Sequence, residues 1–258
     1  MEIPARFRRA MLGNKRESAG KDGPLSIGRG FQKSLQHAVN CGIVADVVYD
    51  VGAAVGTPWL YEAFPKAQHL LFEPLTIQVE TLKAKYLSPD FEIHQTAIGA
   101  QRGIVKLHVP SGPNARLTWS SLAKTTEEFA KFVKARGVIF ETDDIDVPIA
   151  PLDDFLRDGP NVIKIDTEGS EIEVLRGAES ALKSCELLIL EMSIFRRMEG
   201  EGKFGEIVRY LDQRGFELFD IPVLLYPIPD RDLTLIDAFF VPSARHRAGS
   251  WISSPKSS

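Results

Sequence analysis

Cysteine is scarce: Cys41 and Cys185 are the only two in 258 residues. They have no metal-ligand spacing and make no disulfide framework, so a stapled extracellular scaffold is excluded and a reduced, cytoplasmic setting is expected. Long hydrophobic runs are missing as well. No window approaches the roughly 18 consecutive apolar residues that a membrane helix needs. The opening MEIPARFRRAMLGNKRE has basic residues with no apolar stretch behind them, so no secretory signal is expected. Histidine pairs are also lacking. His94 and His108 fall in or near strands, but no two histidines have ligand spacing, and neither is assigned a catalytic role.

What is present suits a globular protein: 44% hydrophobic and 26% charged residues. Charge is unevenly spread. Residues 1–33 hold eight Lys or Arg against Glu2, Glu17 and Asp22, so the net charge of -4 lies on an acidic body. A basic arm can bind an anionic surface, yet an acidic body without a basic-aromatic stripe argues against a nucleic-acid partner. The tail SARHRAGSWISSPKSS is poor in apolar residues and reads as a flexible end.

From about Asp46, short apolar runs alternate with helical patterns, the signature of a parallel sheet with crossover helices. DVVYDV is the first strand, QHLLFE the second, FEIHQTAIG the third, IVKLHV an added one, NVIKID the fourth and ELLILEMS the fifth. Helices are expected with Leu75, Val79, Leu82 and Tyr86 on one face, then with Ile172, Leu175 and Leu182, and then with Phe204, Ile207, Val208 and Leu211. FELFDI and LTLIDAFFV have no helix between them and should pair antiparallel. The organisation read this way is a basic arm and leading helix over 1–45, a domain over 46–243 and a tail over 244–258. Within the domain the alternation lapses over 110–150. That segment reads as loop, helix, then strand and short helix, and is either a cover for a ligand site or decoration.

The first strand runs into Asp50-Val51-Gly52-Ala53-Ala54-Val55-Gly56. A dinucleotide loop reads G-x-G-x-x-G so that its second glycine meets a pyrophosphate. That spacing is missing, which leaves an NAD-dependent oxidoreductase a poor fit. The second strand ends on Glu73, where a carboxylate can accept from both hydroxyls of a ribose. An adenosine without phosphates points to S-adenosylmethionine. Thr57 is placed to cap the next helix, with Pro58 at its first position.

With DVGAAVG, FEP at 72–74, SSL at 120–122, IKIDTEGSEIEVLRGA at 163–178, LILEMS at 188–193 and DAFFV at 237–241, the chain resembles the FkbM family of S-adenosylmethionine-dependent methyltransferases over about residues 46–242. The resemblance implies an α/β, Rossmann-like class I methyltransferase: a mostly parallel seven-stranded sheet with an antiparallel last strand. It also implies methylation of a hydroxyl on a sugar or secondary metabolite. One position departs from the pattern: Ala54 stands where the family's D-V-G-A-N loop carries Asn, which removes a side-chain amide. Loop and resemblance together give the cofactor set Asp50, Gly52, Ala53, Gly56, Glu73, Ala97 and Asp166.

Methyl transfer from a sulfonium needs alignment, and a hydroxyl acceptor also needs a base. Asp166 ends the fourth strand, Glu168 follows two residues later and Glu191 lies near the end of the fifth. These three are the catalytic candidates. Glu168 reads as base or metal ligand; three converging carboxylates could take a divalent cation, but no metal is assigned. Lys164 can pair with one of these acids, or serve as an amphipathic stem. Ser170 reads as helix N-cap and Glu171 as its dipole complement. Trp119, Ser120 and Ser121 are candidate contacts to a small-molecule or glycan acceptor, with plain loop polarity as the rival reading. Neither the Asn/Asp-Pro-Pro-Tyr/Phe stretch of nucleic-acid amino methyltransferases nor the Pro-Cys pair of cytosine C5 enzymes is present. An N-methyltransferase of a small molecule or peptide stays open, as does a non-catalytic binding protein on the same fold.

Overall fold

The computed structural model describes residues 25–111, 116–134, 141–226 and 233–244. Most of the expected basic arm and nearly all of the expected tail lie outside them. The strands are β1 (Leu25–Ile27), β2 (Val47–Val51), β3 (Gln68–Phe72), β4 (Phe91–His94), β5 (Ala97–Ile98), β6 (Gly103–Ser111), β7 (Glu141–Ala150), β8 (Asn161–Ile165), β9 (Cys185–Ser193), β10 (Phe216–Tyr226) and β11 (Leu235–Pro242). The α-helices are α1 (Phe31–Asn40), α2 (Pro58–Ala63), α3 (Thr76–Lys85), α4 (Glu127–Lys134), α5 (Glu171–Arg176) and α6 (Phe204–Asp212). Among the described residues, no helix is long and apolar enough to cross a membrane.

The main sheet runs β1-β10-β11-β9-β8-β2-β3-β4. The pairs from β4 to β9 are parallel, and β11 enters antiparallel beside β9, with β10 outside it. These seven strands match the expected Rossmann-like class I sheet. The eighth, β1, is three residues on the edge of β10, too short to show a period in the sequence. Both faces of the sheet are covered, which is why its strands read as nearly unbroken apolar runs. Val48, Leu71 and Val162 pack under Leu35, Leu60 and Leu82 of α1–α3. Their strand neighbours Tyr49, Leu70 and Ile163 turn the other way, toward Leu175 of α5 and Leu211 of α6. At roughly 1.5–3 kcal/mol for each fully buried large side chain, these two layers dominate stability.

Three expectations need correction. FEIHQTAIG is two strands, not one: β4 pairs with β3, and β5 leaves to join a second sheet of order β5-β7-β6. Thr96 makes the break, its hydroxyl donating to the Pro148 carbonyl at 3.1 Å. Second, the helix after the fourth strand stops at Arg176, and Leu182 falls in a separate turn, Ala181–Ser184. A Cβ at Gly177 would lie 2.0 Å from the Gly99 carbonyl oxygen, so the chain crosses there backbone to backbone. Third, the final strand of the 110–150 segment begins at Glu141 rather than Asp146. Its acidic start hides a strand because the acids find side-chain partners on β6: Lys106 faces Asp146 at 3.2 Å and His108 faces Asp144 at 2.5 Å. The inner face of this small sheet, with Leu107 and Val147, closes over Leu75 and Ala97.

Candidate active site

A cleft opens at the carboxyl ends of β2, β3 and β8, where open α/β sheets take ligands. Its floor is the turn after β2. Gly52 adopts φ +77°, and a Cβ there would sit 1.9 Å from the Asp166 carbonyl oxygen, so the turn needs glycine for close packing as well as for its φ. The Gly52 and Ala53 amides donate to the Phe72 carbonyl at 3.1 and 3.0 Å, tying the turn to β3. Ala54 follows at φ +48°, a left-handed conformation that Asn tolerates better than Ala. Its amide donates to Glu73 Oε2 at 3.0 Å.

Glu73 is buried. Its Oε1 accepts from the Leu75 amide at 2.9 Å, and Gln78, oriented with its NH₂ toward the carboxylate, donates to both oxygens at 3.0 and 2.9 Å. Burial pushes the carboxyl up to about 7, against the pull of the Leu75 and Ala54 amides. Glu73 therefore braces the turn while it lines the cleft. Replacing Ala54 by Asn keeps the backbone amide and relieves a left-handed alanine. Denaturant unfolding should show a gain of up to about 1 kcal/mol; a loss would mean that the turn has packed around the methyl group.

The far wall is built at the end of β8. Lys164 is buried with its Nζ 3.2 Å from Asp50 Oδ1 and 3.4 Å from Asp166 Oδ2. Burial works against its charge, and the two carboxylates outweigh it, so the ammonium is held above its ordinary value. Glu168 stands at φ +55°. Two contacts hold this strained residue: the Ser121 hydroxyl donates to its carbonyl at 2.7 Å, and Arg197 Nη1 donates to Oε2 at 2.9 Å. Left-handed non-glycine residues cost about 1–3 kcal/mol and cluster at functional sites. Burial pushes the Glu168 carboxyl up to about 7, with Arg197 opposing. Burial also raises Glu191 and Asp237 well above the usual carboxylate range, each helped by the charge of Asp166.

The sequence-derived residues divide. Gly52, Glu73, Ala97, Ser120, Asp166 and Glu168 line the cleft. Asp50 lies behind it, fully buried between Lys164 and the Tyr61 hydroxyl. Ala53 belongs to the helix-side core, and Gly56 abuts the Tyr86 ring. Trp119 is outside the lining, its ring 5.1 Å from the Arg116 guanidinium. Ser121 is buried and spends its hydroxyl on Glu168 and on the Ala123 amide. Glu191 sits behind Arg197, which it meets at 3.3 Å. Two capping expectations fail. Thr57 and Ser170 occupy N-cap positions, but neither side chain makes the capping bond. Glu171 instead braces the turn before the helix, its Oε1 accepting from the Thr167 and Gly169 amides at 3.2 and 2.9 Å.

Arg197 and Glu201 were outside every motif read in the sequence, and Asp237, inside DAFFV, was given no role. Their one sequence signal is a pair of arginines followed closely by acids in SIFRRMEGEG, directly after an apolar strand. Asp166, Glu168 and Glu191 each offer an oxygen within 4.8 Å of the others, a set that could bracket a cation. Arg197, bonded to two of the three, brings positive charge there.

Residues 50–218 match the Methyltransferase FkbM domain family. The protein belongs to that family. Methyltransferase 1 of Beauveria bassiana is 23% identical over 181 residues, covering 66% of this chain and 71% of that one. Similar solved structures include the methyltransferase FkbM of Methylobacillus flagellatus KT, with 19% identity, 75% of this chain covered and a TM-score of 0.47. The chain spans 43% of that protein's length. Magnesium protoporphyrin IX methyltransferase of Synechocystis PCC 6803, solved with S-adenosylmethionine bound, is 12% identical, with 92% of this chain and 90% of that one covered and a TM-score of 0.42. The FkbM match takes in the glycine turn, Glu73, the segment over the cleft, the Asp166–Glu171 turn and Arg197; Asp237 lies beyond it.

Proposed function

We propose that residues 46–243 form a methyltransferase unit that binds S-adenosylmethionine in this cleft and methylates a hydroxyl of a sugar or secondary metabolite. The observation that carries the reading is a largely buried, left-handed carboxylate residue, Glu168, in the same cleft as the glycine turn and Glu73. The donor set fits the cofactor. Glu73 lines the cleft, and ribose hydroxyls would take the place of the Gln78 amide on its two oxygens, while Ala97 with Leu107 gives an apolar slot for a flat base. The carboxylates around Asp166 favour a positively charged methionine end. When bound, the cofactor supplies an electrophilic methyl on a sulfonium.

The residues of this chain do the rest. Asp166 and Lys164 fix the charge at the end of β8, and the Gly52 turn leaves space beside it. Glu168 accepts the proton of the acceptor hydroxyl as its oxygen is alkylated, the step for which a nearby base is worth most. Its strained backbone favours a working site over a non-catalytic one, since strain held by two specific contacts is costly to keep without a use. Ser120, with Leu117 and Thr118 from the overlying segment, borders the acceptor side. Acidic walls repel phosphate backbones, which supports a neutral or cationic small molecule or glycan over nucleic acid. The surroundings expected for such a protein are cytoplasmic.

Glu73→Ala tests the cofactor reading. It should weaken S-adenosylmethionine binding by about 1.5–3 kcal/mol, the scale of a hydrogen bond to a charged group. Unchanged affinity in a folded variant would take the ribose away from Glu73.

A further inference from the structure

Arg197 is buried, yet it carries a full charge into a site made mostly of acids. Burying a guanidinium costs several kcal/mol unless its donors are met, so a core position would ordinarily go to an apolar side chain. Here each of the three nitrogens is used. Nη1 donates to Glu168 Oε2 at 2.9 Å, Nη2 to Glu191 Oε1 at 3.3 Å and Nε to Ser193 Oγ at 2.7 Å, with Glu201 Oε1 3.7 Å from Nη2.

The backbone around it is fixed from both sides. The Arg197 and Met198 amides donate to Glu201 Oε2 at 2.5 and 3.0 Å. The Arg197 carbonyl accepts from the Thr126 amide at 2.9 Å, and the Glu199 amide donates to the Lys124 carbonyl at 2.7 Å, so the segment over the cleft clamps the 194–203 connection between β9 and α6. Met198 then lies against Gly169, next to Glu168.

We propose that Arg197 is the positioning residue of this site, its guanidinium holding the Glu168 carboxylate at one place in the cleft. The proposal rests on the reading of Glu168 as the base, and it adds the device that keeps a base usable among like charges. The groups that bear on Glu168 are Asp166 just after β8, Glu171 from α5, Glu191 from β9, Asp237 from β11 and Arg197, and Glu201 bears on Arg197 in turn. Lys164 is engaged by Asp50 and Asp166. The overlying segment adds the Ser121 hydroxyl, spent on the Glu168 backbone. Among the described residues, the cation in contact with the Glu168 carboxylate is Arg197. Lysine cannot reproduce the hold, because one ammonium does not present three coplanar donor directions.

Carbon-13 NMR of labelled glutamate carboxyls tests this without any acceptor, the Glu168 signal being assigned by its loss in Glu168→Gln. The wild-type signal should titrate near 7. In Arg197→Met it should move up by about 1–3 pH units, the effect of losing an adjacent opposite charge. Arg197→Lys should move it by less, and keeps the test open if the Met variant does not fold. An unmoved titration in a folded Arg197→Met, or in Arg197→Lys if that alone folds, overturns the proposal. Turnover of Glu168→Gln judges the base reading separately. If that turnover is normal while the titration moves, Arg197 still positions the carboxylate and the base lies elsewhere. If Glu168→Gln is crippled and Arg197→Lys lowers its residual rate further, Arg197 acts on something other than Glu168 and the proposal fails.

Discussion

Glu168→Gln should lower turnover by about 10²–10⁴-fold, the usual worth of a general base, with S-adenosylmethionine affinity little changed. Gln keeps the size of the side chain and an oxygen for Arg197, and removes both basicity and charge. The wild-type enzyme should gain activity as pH rises through about 7, where the buried Glu168 carboxyl loses its proton. That rise should vanish in the variant. A chelator should leave the wild-type rate alone, since Arg197 already brings a cation to these carboxylates. The assay is transfer of a labelled methyl group to acceptors found by screening. Near-normal turnover in Glu168→Gln would remove the residue from the mechanism, and Glu191 would be the next to test.

Gly52→Ala should be among the most damaging small substitutions at the described residues. Its Cβ would stand 1.9 Å from the Asp166 carbonyl oxygen, a backbone atom that cannot rotate away. The left-handed φ adds about 1–2 kcal/mol of its own. Relief requires the tip of β8 to move, and with it Asp166 and Lys164. Urea unfolding should therefore show a loss of more than about 2 kcal/mol, accompanied by loss of cofactor binding. Gly103 is the control: nothing lies within 4 Å of a Cβ there, and Gly103→Ala should stay within about 0.5 kcal/mol of wild type. Equal stability of the two variants would mean that the turn and β8 are not held together as described.

The sheet was legible because strands buried on both faces leave apolar runs, and crossover helices leave a helical period between them. The turn after β2 was legible because two glycines and a strand-end acid are local. What escaped depends on contacts between distant segments. β5 parts from β4 because Thr96 finds Pro148, 52 residues on. The acidic start of β7 becomes strand only through its pairing with Lys106 and His108. Glu168 is recognisable as an acid after a strand, but its left-handed backbone is set by Ser121, 47 residues before it, and Arg197, 29 residues after it. Ser170 illustrates the reverse: the right residue type stands at the N-cap, yet its side chain makes no capping bond, and the neighbouring Glu171 braces the turn before it.

The account stands on the cleft holding S-adenosylmethionine, and calorimetric titration of the full chain tests that directly. One equivalent of S-adenosylmethionine should bind, S-adenosylhomocysteine should displace it, and NAD should give no binding heat. Binding of NAD with no response to S-adenosylmethionine would contradict the account.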